Sequence, residues 1–179
     1  MIGGMIMELK IKDPGSALTH FIAMLTAMVA ATPLLIKAAS VPGTMHLKAL
    51  SVFIVSMILL YAASTVYHTF DISEHVNKIL RKIDHMMIFI LIAGTYTPVC
   101  LIVLGNKSGY RMLSLVWGIA IVGIIINALW INCPKWFSSV IYIAMGWYAS
   151  WRSARSLPLS HLPLSHGFSP AASSIPSAV

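Results

Sequence analysis

Residues 64–98, STVYHTFDISEHVNKILRKIDHMMIFILIAGTYTP, decide how this chain folds. The stretch joins the end of one apolar segment to the start of the next through a short basic connection. Ser64, His68 and Asp84 lie where the two apolar segments meet that connection. Because polar and ionisable side chains are costly beside a membrane interior, their presence at this place indicates a functional site.

The composition predicts an integral membrane protein. Of the 179 residues, 58% are hydrophobic and 9% are charged, whereas a soluble domain has about 25% charged residues. The formal net charge is +7, but the cations are scattered through short connections and form no stripe with aromatic residues. That pattern suits membrane orientation and lipid headgroups. We therefore expect membrane lipids, and no nucleic acid, as partners.

The order of apolar segments predicts an all-α, polytopic transmembrane helix bundle. A hydrocarbon core about 30 Å thick needs some twenty residues of helix at about 1.5 Å per residue. A polar N-terminal segment, 1–15, precedes a bundle at 16–149. The five predicted helices cover about 16–36, 47–70, 83–104, 112–131 and 136–149.

The last thirty residues have a different composition. Residues 150–179 contain nine serines and four prolines, which predicts a disordered tail. The change falls inside the last apolar segment, so we expect a frameshift or an early stop, which sequencing the other reading frames past codon 147 would test. His161 and His166 are five residues apart and flank Pro163. Since such a pair does not share a helix face, we assign it no role.

The charges of the short connections predict the orientation. With the N-terminus inside, the inside segments hold six Lys and Arg and the outside ones hold four. This difference favours a cytoplasmic N-terminus. The connection after the second helix is then cytoplasmic, and so is the polar site beside it.

The spacing of the polar residues leaves their chemistry open. Ser64 and His68 are four residues apart and share one helix face with Tyr61. The Ser64 hydroxyl has two possible acceptors, the imidazole and the carbonyl one turn earlier. The short connection brings Asp84 to the depth of His68. An imidazole and a carboxylate there indicate a structural pair, a proton relay or part of a zinc site, which needs about three protein ligands. His20, in the first turn of the first helix, fits an interfacial residue better than a ligand.

Three motifs in order resemble the hemolysin III family. They are Ser64-x-x-x-His68, the sequence KIDH at 82–85 and the sequence AGTYTP at 93–98. The sequence SALTH at 16–20 is similar to the entry of that family's first helix. This family is the bacterial branch of the progestin and adiponectin receptor superfamily, which is grouped with alkaline ceramidases. The resemblance covers about residues 13–147.

The resemblance implies a seven-helix bundle in the bacterial inner membrane, of which five helices are present here. It also implies a cytoplasmic N-terminus and a zinc ion near the cytoplasmic face. His68 matches the family's first zinc ligand, Asp84 the aspartate that holds the zinc-bound water, and Ser64 the serine one turn before the histidine. The other two ligands belong to an H-x-x-x-H pair on the seventh helix, and this sequence contains no such motif.

Three functions follow as expectations. In the first, zinc activates a water, and Asp84 and Ser64 assist the hydrolysis of a lipid amide or ester. The second is a pore-forming or haemolytic membrane protein, as the family name implies, or a factor in membrane homeostasis. The third is an inactive, truncated product.

Overall fold

The computed structural model describes residues 11–129 and 139–147, and these residues are helical apart from short connections. Four long helices follow in order, α1 (Pro14–Ala39), α2 (Met45–Thr69), α3 (Glu74–Pro98) and α4 (Lys107–Leu129). Residues 139–147 form a shorter helix, α5. The predicted tail at 150–179 and most of the N-terminal segment lie outside the described residues.

The prediction of an all-α, polytopic membrane bundle is confirmed. Each of α1, α2 and α4 is long and apolar enough to cross a membrane, and so is the continuous helix Glu74–Leu104. Large apolar side chains lie exposed on the outer faces of these helices, among them Val29 on α1, Leu59 on α2 and Val122 on α4. Helices that are apolar on their outer faces are typical of a bundle surrounded by lipid.

Two helices begin earlier than the sequence predicts. Helix α3 starts at Glu74 rather than at about 83, and the Ser73 hydroxyl accepts a hydrogen bond from the backbone N–H of Val76. Helix α4 starts at Lys107 rather than at about 112, with the Asn106 side chain accepting from the Gly109 N–H at 3.0 Å. Hydropathy detects only the apolar part of a helix. A capped polar turn that continues beyond that part is missed.

Helices α2 and α3 approach closely at one pair of small residues. A Cβ atom added to Gly94 would lie 2.7 Å from the Cβ of Ser56 and would also overlap its hydroxyl oxygen. Small residues allow this approach because membrane helices associate largely through close packing. This contact defines the register between α2 and α3.

Helices α3, α4 and α5 share one core. Phe89 of α3 is fully buried, and its ring fills the space beside Gly123 of α4. The Tyr142 ring meets Phe89 edge-on at 4.5 Å. The Tyr142 hydroxyl donates to the His85 carbonyl at 2.8 Å, and the Tyr96 hydroxyl donates to the Gly146 carbonyl at 3.0 Å. These contacts attach α5 to α3.

The third helix changes from α-helical to π-helical geometry at Pro98. After Pro98 the chain continues as a π-helical stretch, Val99–Leu104. Proline lacks the N–H that would bind the Gly94 carbonyl. The hydroxyls of Thr95 and Thr97 bind the carbonyls of Leu91 and Ala93 instead, so neither binds Gly94.

Candidate functional site

The N-terminal segment is attached to the last turn of α2 at His68. The Asp13 carboxylate oxygen Oδ2 lies 3.0 Å from Nδ1 of His68. The backbone N–H of Asp13 donates to the His68 carbonyl at 2.9 Å, and that of Lys12 donates to the Thr69 carbonyl at 3.3 Å. One side-chain bond and two backbone bonds therefore hold the residues before α1 against the end of α2.

Aromatic rings surround the His68 imidazole. The ring of His20, from α1, stacks nearly parallel to it, at 4° and a centroid distance of 5.6 Å. Tyr67 contacts it at 4.8 Å, and Tyr61 contacts His20 at 5.9 Å. These rings restrict the rotation of the imidazole from more than one side.

The hydrogen bond to Asp13 determines which imidazole nitrogen remains open. An ionised carboxylate only accepts hydrogen bonds, so Nδ1 of His68 carries the proton. In the neutral ring Nε2 then keeps its lone pair and can bind a proton or a metal. The two side chains are 21% and 52% exposed. Because solvent screens the pair, its direct contribution to stability is at most about 1 kcal/mol.

Ser64 lies one turn before His68 and is 5% exposed. Within the described ranges its hydroxyl forms no hydrogen bond, so neither acceptor considered from the sequence is used. The hydroxyls of Thr65 and Thr69, on the same helix, each bind the carbonyl four residues earlier at 2.7 Å. A buried polar group without a partner costs about 1–3 kcal/mol. Ser64 is therefore a buried donor whose bonding the described residues do not satisfy.

Asp84 lies in α3 at the depth of this cluster. Gly94 faces Ser56 across the antiparallel pair α2 and α3. Asp84 is ten residues before Gly94 in α3, and residue 66 is ten residues after Ser56 in α2. Because the two helices are antiparallel, Asp84 is level with residue 66, which lies between Ser64 and His68. A direct hydrogen bond between His68 and Asp84 is absent from the described part of the chain. The carboxylate bound to His68 is that of Asp13.

The described residues do not make a complete zinc site. Among residues 11–129 and 139–147, no three side chains of His, Cys, Asp or Glu are grouped so that they could hold a metal ion. A zinc site takes about three protein ligands. His68, oriented by a carboxylate, has the arrangement of a single ligand of such a site. The H-x-x-x-H pair that the resemblance implies does not occur in the chain.

Asp13 and His20 were not identified as site residues from the sequence. From the sequence, Asp13 belongs to the polar segment before the first helix, and His20 is an interfacial residue. Asp13 is 55 residues from His68, and no local pattern connects residues that far apart. The available signal is Asp13 itself, a side-chain acceptor directly before Pro14. This pattern predicts the start of a helix rather than a functional site.

Four apolar helices long enough to cross a membrane define a multi-pass membrane protein, and a cluster of polar side chains lies near one end of its bundle. The comparisons with known proteins agree. The chain belongs to the haemolysin-III related family, whose model matches residues 9–165. The match includes the motifs at 64–98 and continues beyond residue 147, where the resemblance seen in the motifs ended.

Two curated relatives come from Bacillus. The chain is 36% identical over 136 residues to the "Hemolysin-3 homolog" of Bacillus subtilis (strain 168). These aligned residues cover 76% of this chain and 63% of the relative. It is 36% identical over 158 residues to "Hemolysin-3" of Bacillus cereus. These aligned residues cover 88% of this chain and 70% of the relative. The chain thus spans about two thirds of the length of these relatives.

Proposed function

We propose that the chain provides the α2 and α3 half of a zinc-dependent site that hydrolyses a membrane lipid, with His68 as a zinc ligand. The observation that carries this proposal is the hydrogen bond from His68 Nδ1 to Asp13. Metal-binding histidines almost always donate their other ring N–H to a carboxylate, a carbonyl or water. Nε2 of His68 is then the ligand atom.

Each polar residue has a role in this proposal. Asp13 orients the His68 ring, and His20 restricts its rotation by stacking on it. Asp84, level with the cluster, accepts a proton from water or holds the water in place. The buried hydroxyl of Ser64 donates a hydrogen bond to the reacting group. Bound zinc would supply a water with a pKa near 7 and would polarise the carbonyl of the substrate.

The location of the cluster supports a lipid substrate. His68 lies in the last turn of one apolar helix, and Asp84 lies in another helix where its polar first turns give way to the apolar part. Lipid amides and esters lie at this depth, between hydrocarbon and headgroup. We further propose that this end of the bundle faces the cytoplasm and that the protein resides in the bacterial cell membrane, since the balance of Lys and Arg favours this orientation.

Zinc content tests the proposal. The full chain is purified in detergent, equilibrated with zinc and freed of loose metal, and zinc is measured per chain. We expect His68→Ala to lower the bound zinc and His46→Ala, at the opposite end of α2, to leave it unchanged. We expect Asp13→Asn to weaken zinc binding by about 10- to 100-fold. Equal zinc in wild type and His68→Ala, or none in wild type, would contradict the proposal.

Membrane permeabilisation is the second candidate function. It is favoured by the name of the Bacillus cereus relative, "Hemolysin-3". A water-filled pore needs a polar lining. Release of a trapped dye from liposomes that rises with the amount of protein, and that persists in His68→Ala, would support this function. No release over a wide range of protein concentration would exclude it.

A further inference from the structure

A basic cavity of about 220 Å³ lies between the N-terminal segment, the end of α2 and the start of α3. Neither His68 nor His20 lines it. Three cations, one carboxylate, one amide and one phenol line it. These residues are Lys12, Lys78, Arg81, Glu74, Asn77 and Tyr67.

The cations of this cavity have weak partners or none. The Lys12 ammonium lies 3.8 Å from the centroid of the Tyr67 ring. The Lys78 ammonium lies 3.7 Å from the Glu74 carboxylate, and both side chains are mostly exposed. Such a surface pair contributes little. Arg81 forms no hydrogen bond or ion pair with any described residue. The positive charges therefore remain largely available to an anion.

The acidic residues close to the cavity are occupied elsewhere, apart from Glu74. Asp13 is bound to His68. Asp71 accepts from the Asn77 amide at 2.6 Å, and Asn77 in turn accepts from the backbone N–H of Ile72. Among the residues that line the cavity, three cations therefore face one carboxylate, and two hydrogen bonds hold the Asn77 side chain in place.

An apolar groove of about 410 Å³ lies on the other side of the same N-terminal segment. Ile11, Leu18 and Phe21 line it from one side, and Val66 and Phe70 line it from α2. Ile11 belongs to the groove and Lys12, the next residue, belongs to the basic cavity. The basic cavity and the apolar groove are therefore adjacent where membrane-crossing helices end.

We propose that the basic cavity binds the phosphate of an anionic phospholipid and that an acyl chain of the same lipid lies in the apolar groove. Basic pockets between membrane helices on the cytoplasmic side are suited to anionic headgroups. A soluble phosphate compound would use the cavity and leave the groove without a role. The assignment is independent of the proposed zinc site, because none of its cations is a residue of that site.

Lipid binding to the full chain in detergent tests the assignment. Binding of phosphatidylglycerol and of phosphatidylcholine is measured by native mass spectrometry. We expect phosphatidylglycerol to bind more tightly to the wild type. We expect the double variant Lys78→Gln/Arg81→Gln to weaken phosphatidylglycerol binding by about 10- to 30-fold, since each cation near the surface contributes about fivefold.

A matched control removes one lysine and one arginine at the opposite end of the bundle. Lys48→Gln/Arg111→Gln changes the net charge by the same amount, and we expect it to retain phosphatidylglycerol binding. Equal loss in both double variants would overturn the assignment, because only total charge would then matter. Lipid binding is measured in the presence of a zinc chelator, so its outcome does not depend on zinc and a failure of the zinc proposal remains distinguishable.

The source of the phosphate is tested with glycerol phosphate, a soluble phosphate compound without acyl chains. We expect glycerol phosphate to compete poorly with phosphatidylglycerol. We expect Leu18→Ser/Val66→Ser, in the groove, to weaken binding of the lipid and not of glycerol phosphate. If glycerol phosphate binds as tightly as the lipid and the groove variant has no effect, the ligand is a soluble phosphate compound and the lipid assignment is wrong.

Discussion

The carboxylate of Asp13 and the imidazole of His68 are joined at 3.0 Å, although 55 residues separate them in the chain. The adjoining backbone bonds from Lys12 and Asp13 to the end of α2 make this a three-point attachment. It orients His68 and places Lys12 on the basic cavity. The start of α1 thereby contributes to both proposed sites.

Asp13→Ala is expected to loosen this attachment. Without the carboxylate, the backbone bonds of residues 12 and 13 open more often, and their amide hydrogens exchange several-fold faster, as expected for a screened pair of at most about 1 kcal/mol. Hydrogen exchange measured by mass spectrometry checks this. Asp71→Ala removes an acid from the next connection and is expected to leave these two amides unchanged. Unaltered exchange in Asp13→Ala would show that the side-chain bond contributes nothing.

Gly94→Ala is expected to destabilise the packing of α2 against α3. The added Cβ would lie 2.7 Å from Ser56 Cβ, so the helices must separate, at a cost of about 1–3 kcal/mol. Thermal unfolding in detergent measures the effect. The control is Gly118→Ala, where an added Cβ meets nothing within 4 Å and the higher helix propensity of alanine stabilises slightly.

A second change tests the cause of that loss. Ser56→Gly removes both atoms that the new Cβ would meet, so Gly94→Ala/Ser56→Gly should unfold at a higher temperature than Gly94→Ala alone. If the second change makes the protein less stable still, steric overlap at this contact is not the reason.

Thr97→Val is expected to weaken the packing of α4 on α3. The Thr97 hydroxyl donates to the Ala93 carbonyl at 2.9 Å and accepts from the Trp117 ring N–H at 3.1 Å. Valine keeps the shape and leaves the indole N–H without this acceptor, which costs about 0.5–1.5 kcal/mol. Thr97→Ser retains the hydroxyl and should lose less. Equal stability of the two variants by thermal unfolding would argue against the bond.

Cys100 is expected to resist alkylation in the folded protein. Its exposure is 0%, and a buried thiol does not reach a maleimide in solution. The experiment uses a Cys133→Ser background, which leaves Cys100 as the remaining cysteine of the two in the chain. We expect slow labelling in mild detergent and rapid labelling in SDS. Ser40→Cys, in the exposed connection after α1, should label rapidly in mild detergent and in SDS. If Cys100 labels at similar rates in the two detergents, the core around α3 is open.

The sequence predicted the membrane helices well because hydropathy is a local property. The apolar parts of α2 and α3 were found. The start of α3 at Glu74 was missed, since its first turns are polar and lie outside the apolar part. The family was also predictable, because its motifs at 64–98 lie close together in the chain, and the comparisons confirm it.

A bundle of apolar helices and the common face of Ser64 and His68 could be predicted from the sequence, since both follow from helical repeat and composition. That Asp13, rather than Asp84, binds His68 and that His20 stacks on it became known from the folded chain. These contacts join α1 and the residues before it to α2. They depend on how two helices pack and on where the chain before α1 crosses the end of α2, and neither is encoded in the spacing of nearby residues.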